Sequence, residues 1–387
     1  MGSLRRLTFL KWTLCAALLT LLALTPRLWI TDRAFPTIPA TSSFPELPNG
    51  ISIFLAVALA VAIVLAAISS KPRPFLIAIP LLGTALVLFD VNRLQPWFYQ
   101  FMLMFVALAT VQWNGGEVDD SDSALGSCGV VLAFLYIWSG IQKANPVFAS
   151  GVFPWLIGPI AKSLDNGSVE LLKNAAYAVP VVEFLIGSML LVPRTRSFAL
   201  IGVALMHLSL LWLLGPFGHN YNSVVWPWNI AMILMAWIVF FRNDGAIFLP
   251  SLRPHLGKAI ALLVVLMPLF NLFGKWDDYL SASLYSGRNI SAWIFIGERS
   301  SRMFESKLSQ AEMLRLQEAF DGYSFDATKW SLAELNVPLY PERRVFEVVA
   351  TKLLHMGGSE GDVRLYVTEH RGILNDGPGE FREVPLR

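Results

Sequence analysis

Long apolar stretches without a single Asp, Glu, Lys or Arg recur along the first two thirds of the chain. Residues 47–70, 94–116 and 123–142 are three such stretches, and 197–241 is a fourth, long enough for two helices and broken at Gly215-Pro216 and Gly218. Shorter apolar runs lie at 12–26, 74–89, 177–192 (interrupted by Glu183) and 259–273. A membrane-spanning helix needs about 20 mostly apolar residues. The pattern predicts nine helices, over 9–29, 51–69, 75–90, 97–113, 125–142, 177–193, 198–214, 224–241 and 258–274. The expected architecture is therefore an all-α polytopic membrane bundle.

After residue 274 the pattern changes. Residues 1–273 carry 27 charged side chains, whereas the remaining 114 carry 31. We place a domain boundary there: a transmembrane domain over 1–274, then a small α+β extramembrane domain over 275–387. Within the latter, 302–320 has helical apolar spacing through Met303, Leu308, Met313, Leu316 and Phe320, and 343–354 forms a second helix. Residues 362–368 alternate as a strand, and 375–379 (Asn-Asp-Gly-Pro-Gly) form a turn.

Composition narrows the class. Of 387 residues, 55% are hydrophobic and 15% charged, against about 25% charged in soluble domains. A single water-soluble globule and a disordered chain are both excluded. The net charge of +2 gives no nucleic-acid partner. Cys15 and Cys128 stand apart in apolar runs, so neither a disulfide framework nor a thiol redox motif is expected. Arg5-Arg6 before the first apolar run imitates a signal peptide, but no clean cleavage site follows, and we read an uncleaved anchor. Loop lysines and arginines favour a cytoplasmic N-terminus, ten to six. Nine spans then put the C-terminal domain outside, as in a bacterial inner membrane or its equivalent.

Four polar residues interrupt the spans. Lys143 closes the fifth helix, Glu183 lies in the sixth, His207 in the seventh and Asn229 in the eighth. With a rise of ~1.5 Å per residue, Glu183, His207 and Asn229 fall roughly 9, 10 and 8 Å below the outer helix ends. Ionisable groups in a bilayer are costly and face a protein interior. Their common depth predicts an outward-facing pocket, with Lys143, Glu183 and His207 as candidate acid–base groups. Asn229, Trp226, Trp228 and the loop residue His219 are candidate ligand-binding groups. Each also has a structural alternative. Lys143 can snorkel to the headgroups, Glu183 can simply neutralise it, and His207 can be a packing histidine. The two tryptophans fit an interfacial belt, and His219 fits an ordinary loop. The loop over 143–176 contains an apolar stretch, 148–160, that reads as a re-entrant or interface-lying segment able to cover such a pocket. His355 and His370 read as surface residues, and no metal-ligand cluster is evident. Asn166 and Asn289 match the glycosylation pattern, which matters only in a eukaryotic secretory pathway.

The order of these features resembles a family pattern. Tyr136-Ile-Trp-Ser-Gly-Ile-Gln-Lys143-Ala-Asn-Pro-Val-Phe148 is similar to a helix end of the HTTM (horizontally transferred transmembrane) domain, the membrane region of vitamin K-dependent gamma-carboxylase. Val182-Glu-Phe-Leu-Ile-Gly187, Pro193-Arg-Thr-Arg196, Met206-His207 and Trp226-Pro-Trp228 continue it in order. DoxX/MauE-like membrane proteins share a related layout. The resemblance covers about 90–285. It implies a base role toward a reduced quinone for Lys143 and an outward-facing site. Nothing in the chain corresponds to the carboxylase's large lumenal region, so glutamate carboxylation is not implied.

The expected function is redox or acid–base chemistry on a quinone or lipid-like molecule, with a quinone the one cofactor the resemblance implies. The alternative is a non-enzymatic assembly or accessory subunit that docks a protein partner through its C-terminal domain. A transporter would show two related halves, and no clear internal repeat is present.

Overall fold

A computed structural model describes residues 2–113, 118–297, 300, 313–315, 322–356, 361–368 and 381–386. Nine apolar helices are found among them where the pattern places them. They are α1 (Ser3–Leu24), α2 (Asn49–Ile68), α3 (Arg73–Phe89), α4 (Pro96–Ala109), α5 (Val118–Lys143), α6 (Ala178–Leu191), α7 (Arg196–Leu214), α8 (Val225–Phe240) and α9 (His255–Asn271). Five of these regions are long and apolar enough to cross a membrane, α6 together with the short helical turns before it; α3, α4, α8 and α9 are shorter. Apolar side chains such as Phe54, Leu81, Phe198 and Ile230 face outward from the bundle, as a lipid-facing surface requires. The chain is an integral membrane protein.

Two boundaries differ from expectation because charge was read as loop. The first helix starts at Ser3, and so includes Arg6. Arg6 is buried and donates to the carbonyls of Ile238 and Arg242, while Lys11 lies over the Trp113 ring. The fifth helix starts at Val118. It takes in the acidic stretch expected as a loop, where Asp122 accepts from Ser3. Acidic residues suit a helix N-terminus.

α5 is the central helix. It packs along α6, and also contacts α1, α4 and α8. The 148–160 segment forms short helical turns, Phe148–Val152, Phe153–Leu156 and Gly158–Ala161.

The C-terminal region carries an antiparallel sheet of β1 (Ala292–Gly297), β2 (Met313–Arg315), β3 (Gly322–Phe325), β4 (Val363–Thr368) and β5 (Phe381–Val384), in the order β2-β3-β1-β4-β5. Two helices accompany it, α10 (Ala327–Leu335) and α11 (Arg343–His355). α11 buries Val345, Val349 and Leu353 beside the buried sheet residues Ile294, Ile296 and Leu365. The helix expected over 302–320 needs correction: Met313–Arg315 is a strand paired with β3, where strand pairing outweighs local helical spacing. The rest of that stretch, the turn at 375–379 and His370 lie outside the described residues. His355 is exposed at the end of α11.

This region sits on one end of the bundle. Glu334 accepts from the backbone N–H of Ala34 and Phe35, and Arg344 donates to the carbonyls of Pro39 and Ala40. Beneath lies a buried charge network. Asp90 accepts from Arg33, Asn92 and the Ile38 amide. Arg93, 3.9 Å from Asp90, donates to the carbonyls of Leu28 and Leu86 and to Ser52. Burial lowers the Arg93 guanidinium to about 10, against the pull of Asp90.

Candidate functional site

α5 and α6 approach closely enough for backbone contact. A Cβ on Gly140 would lie 2.5 Å from the Pro180 carbonyl oxygen, and one on Gly187 would lie 2.5 Å from that of Ala133. Small residues at a helix–helix interface allow this approach in membranes. It brings Lys143, at the end of α5, to Glu183 on α6. Lys143 Nζ donates to Glu183 Oε2 at 2.7 Å and to Ser139 Oγ one turn back on its own helix. Their side chains are 12% and 8% exposed, so each charge depends on the other in a low dielectric.

The end of α5 is anchored by polar contacts. Asn145 donates to the carbonyls of Gln142 and Ser286 and accepts from the Phe148 amide. Gln142 donates to Asn271, which in turn donates to Asp278. Lys143 is thus fixed to the segment leading into the C-terminal region.

A second hydrogen-bonded set lies beside the first, and its proton positions can be derived. Asn229 Nδ2 donates to the Val225 carbonyl at 2.6 Å, a group that only accepts. That orientation presents Oδ1 to His207 Nδ1, 2.5 Å away. In the neutral ring the N–H is therefore on Nδ1, and Nε2 is the acceptor. Tyr136 Oη, 2.8 Å from Nε2, must then be the donor. The chain runs Tyr136 to His207 to Asn229, across α5, α7 and α8, with all three residues buried.

Both sets line one cavity of about 90 Å³. Trp228 also lines it, and its Nε1 donates to Gln100 Oε1 at 2.9 Å. Leu284 and Tyr285, from the segment after α9, form its wall toward the C-terminal region. The structure thus gathers Lys143, Glu183, His207, Asn229 and Trp228 from the sequence candidates. It does not bring Trp226 or His219 to that cavity. Trp226 Nε1 donates to the Leu214 carbonyl. His219 stacks on Trp155, with ring centroids 4.5 Å apart, and its Nε2 lies 2.8 Å from the Trp155 carbonyl oxygen. Cys15 and Cys128 are buried and free.

Sequence reasoning missed Tyr136 and Ser139. Their signal was spacing: seven and four residues before Lys143, they share its helix face. Gln100 and Tyr285 gave no comparable signal. Among the described residues, no group of three or more His, Cys, Asp or Glu is placed to hold a metal ion.

With this geometry in hand, one family model matches the chain: Methylamine utilisation protein MauE, over residues 121–220. The matched stretch holds Tyr136, Lys143, Glu183 and His207, and ends before Asn229. It is similar to the MauE side of the resemblance drawn from the motifs and does not bear on the carboxylase side. No curated protein and no solved structure matches the chain.

Proposed function

We propose that this integral membrane protein binds a quinone or another lipid-soluble molecule in an outward-facing pocket and moves protons to and from it. The supporting observation is that two hydrogen-bonded sets, Lys143–Glu183 and Tyr136–His207–Asn229, line the same cavity. In this reading a ligand hydroxyl, for a quinone that of its reduced quinol form, gives its proton to Tyr136 Oη as the tyrosine proton passes to His207 Nε2. The imidazolium so formed keeps its Nδ1–H bond to Asn229. Lys143, paired with Glu183 and bonded to Ser139, donates its third N–H to the oxyanion left on the ligand. The N-terminus lies in the cytoplasm and the C-terminal region outside.

Native mass spectrometry with lipid extraction tests this on protein in mild detergent, comparing wild type with Lys143→Ala. A quinone or isoprenoid that co-purifies with wild type alone supports the pocket. No small molecule in either sample, together with a stoichiometric protein partner, moves the assignment to an accessory subunit. One observation favours that second reading. Trp293 and Phe381, 48% and 44% exposed, form an aromatic pair on the sheet with centroids 5.9 Å apart, a suitable anchor for a partner. Trp293→Ser would then release the partner and leave small-molecule content unchanged.

A further inference from the structure

A second cavity has Lys143 in its wall, as the first does. It is a groove of about 450 Å³ between α5 and α6, with walls that include Gly140, Ala144, Ala176, Pro180, Val181 and Phe184. Lys143 also lines it, and is the one described residue that lines both spaces. Sites that hold small molecules measure roughly 300–1,000 Å³, and an engineered cavity of about 150 Å³ just accepts benzene. The inner cavity, at about 90 Å³, is too small for a whole ligand. The groove is large enough, but its lining is almost entirely apolar.

The groove opens where the bundle meets lipid. Tyr177, Val181 and Phe184 on its rim are 70%, 55% and 41% exposed. Of its other polar side chains, Tyr177 stands on the exposed rim, and Asn145 is engaged by the Gln142 and Ser286 carbonyls and the Phe148 amide. Lys143 is therefore the one side-chain cation there able to meet a head group. A volume near the lower end of the ligand-site range fits one chain better than a two-chained phospholipid.

We infer that the groove is the chain-binding half of a two-part site for a single-chain, lipid-soluble molecule. The molecule enters sideways from the bilayer, its chain lies between α5 and α6, and its oxygen-bearing head reaches past Lys143 toward Tyr136 and His207. This rests on the proton-transfer pocket proposed above and adds the route and the chain site.

The test uses full-length protein in phosphatidylcholine nanodiscs and an alkyl benzoquinone carrying a diazirine midway along its chain. After irradiation, labelled peptides are mapped by mass spectrometry. We expect labels within 140–149 and 176–184. Ala144→Trp and Val181→Trp, both at exposed wall positions, should cut that labelling by about tenfold. Phe198→Trp, at a lipid-facing site on α7, should leave it unchanged. The same diazirine chain without its quinone should label the groove far less.

Labelling that persists in both tryptophan variants overturns the inference. So does equal labelling by the headless chain, or suppression by added phosphatidylcholine, either of which would make the groove an ordinary lipid contact. Labels confined to the 203–214 stretch of α7 overturn sideways entry and leave the inner pocket standing. No label above that of an unirradiated sample overturns both.

Discussion

Lys143 Nζ lies 2.7 Å from Glu183 Oε2, and neither residue has another full charge in hydrogen-bond contact among the described residues. Removing one partner strands the other in a low-dielectric interior, which typically costs about 3–5 kcal/mol. Lys143→Met and Glu183→Leu should each destabilise by about that much. The double variant should lose less than either alone. Unfolding followed in detergent micelles checks this. Additive losses would mean that each side chain is separately solvated.

Asn229 sets the tautomer of His207. Nitrogen-15 NMR on histidine-labelled protein should find the His207 proton on Nδ1, with Nε2 bare. Asn229→Leu should abolish that preference. Tyr136→Phe should leave Nε2 without its donor, at about 1–3 kcal/mol in stability. A proton found on Nε2 in wild type would refute the derived hydrogen-bond direction.

Asp90 is the carboxylate between Arg33 and Arg93, and all three side chains are fully buried. Asp90→Asn leaves two guanidinium groups without a buried counter-charge. We expect a loss of about 3–5 kcal/mol, read as a lowered melting temperature. Arg93→Met combined with Asp90→Asn should recover part of it.

Burial raises the Asp277 carboxyl above its ordinary value, and the neighbouring Asp278 adds to this; hydrogen bonds from Tyr340 and the Leu280 amide oppose it. The sign follows from linkage. The folded state holds the proton more tightly than the unfolded chain. This contribution is full below the unfolded pKa, about 3.9, and is lost as pH rises through the raised folded value. Asp277→Asn keeps a carbonyl acceptor for Tyr340 and has nothing to ionise. The melting temperature of wild type relative to Asp277→Asn should therefore fall as pH rises from about 4. A difference that does not change with pH refutes it.

The helical bundle was legible because apolar runs and their charged ends are local signals. The grouping of Lys143, Glu183, His207 and Asn229 around one cavity was legible too, since counting residues along helices places them at matching levels. Rotation about the helix axis is a finer signal than depth. Trp226 and Trp228 lie two residues apart, about 200° around the helix, so one faces the cavity and the other points away. Tyr136 and Ser139 look unremarkable in a span, yet they complete both hydrogen-bonded sets. Arg6 was left outside the first helix because its charge suggested water, whereas backbone carbonyls receive it. In the C-terminal region the alternation at Val363–Thr368 gave its strand, while β1, a continuous Ala-Trp-Ile-Phe-Ile-Gly run, carried no periodicity to read.

The connection between α1 and α2 is held by residues about 300 positions later: Glu334 on Ala34 and Phe35, and Arg344 on Pro39 and Ala40. During synthesis, that first connection is made early, and the Ala34 and Phe35 amides and the Pro39 and Ala40 carbonyls wait for almost the entire remaining chain before they meet these partners. Such distant contacts form late and slowly. The C-terminal region therefore acts in assembly as the closing piece, and a ribosome that stalls before residue 334 leaves a bundle whose earliest turn is still unfastened.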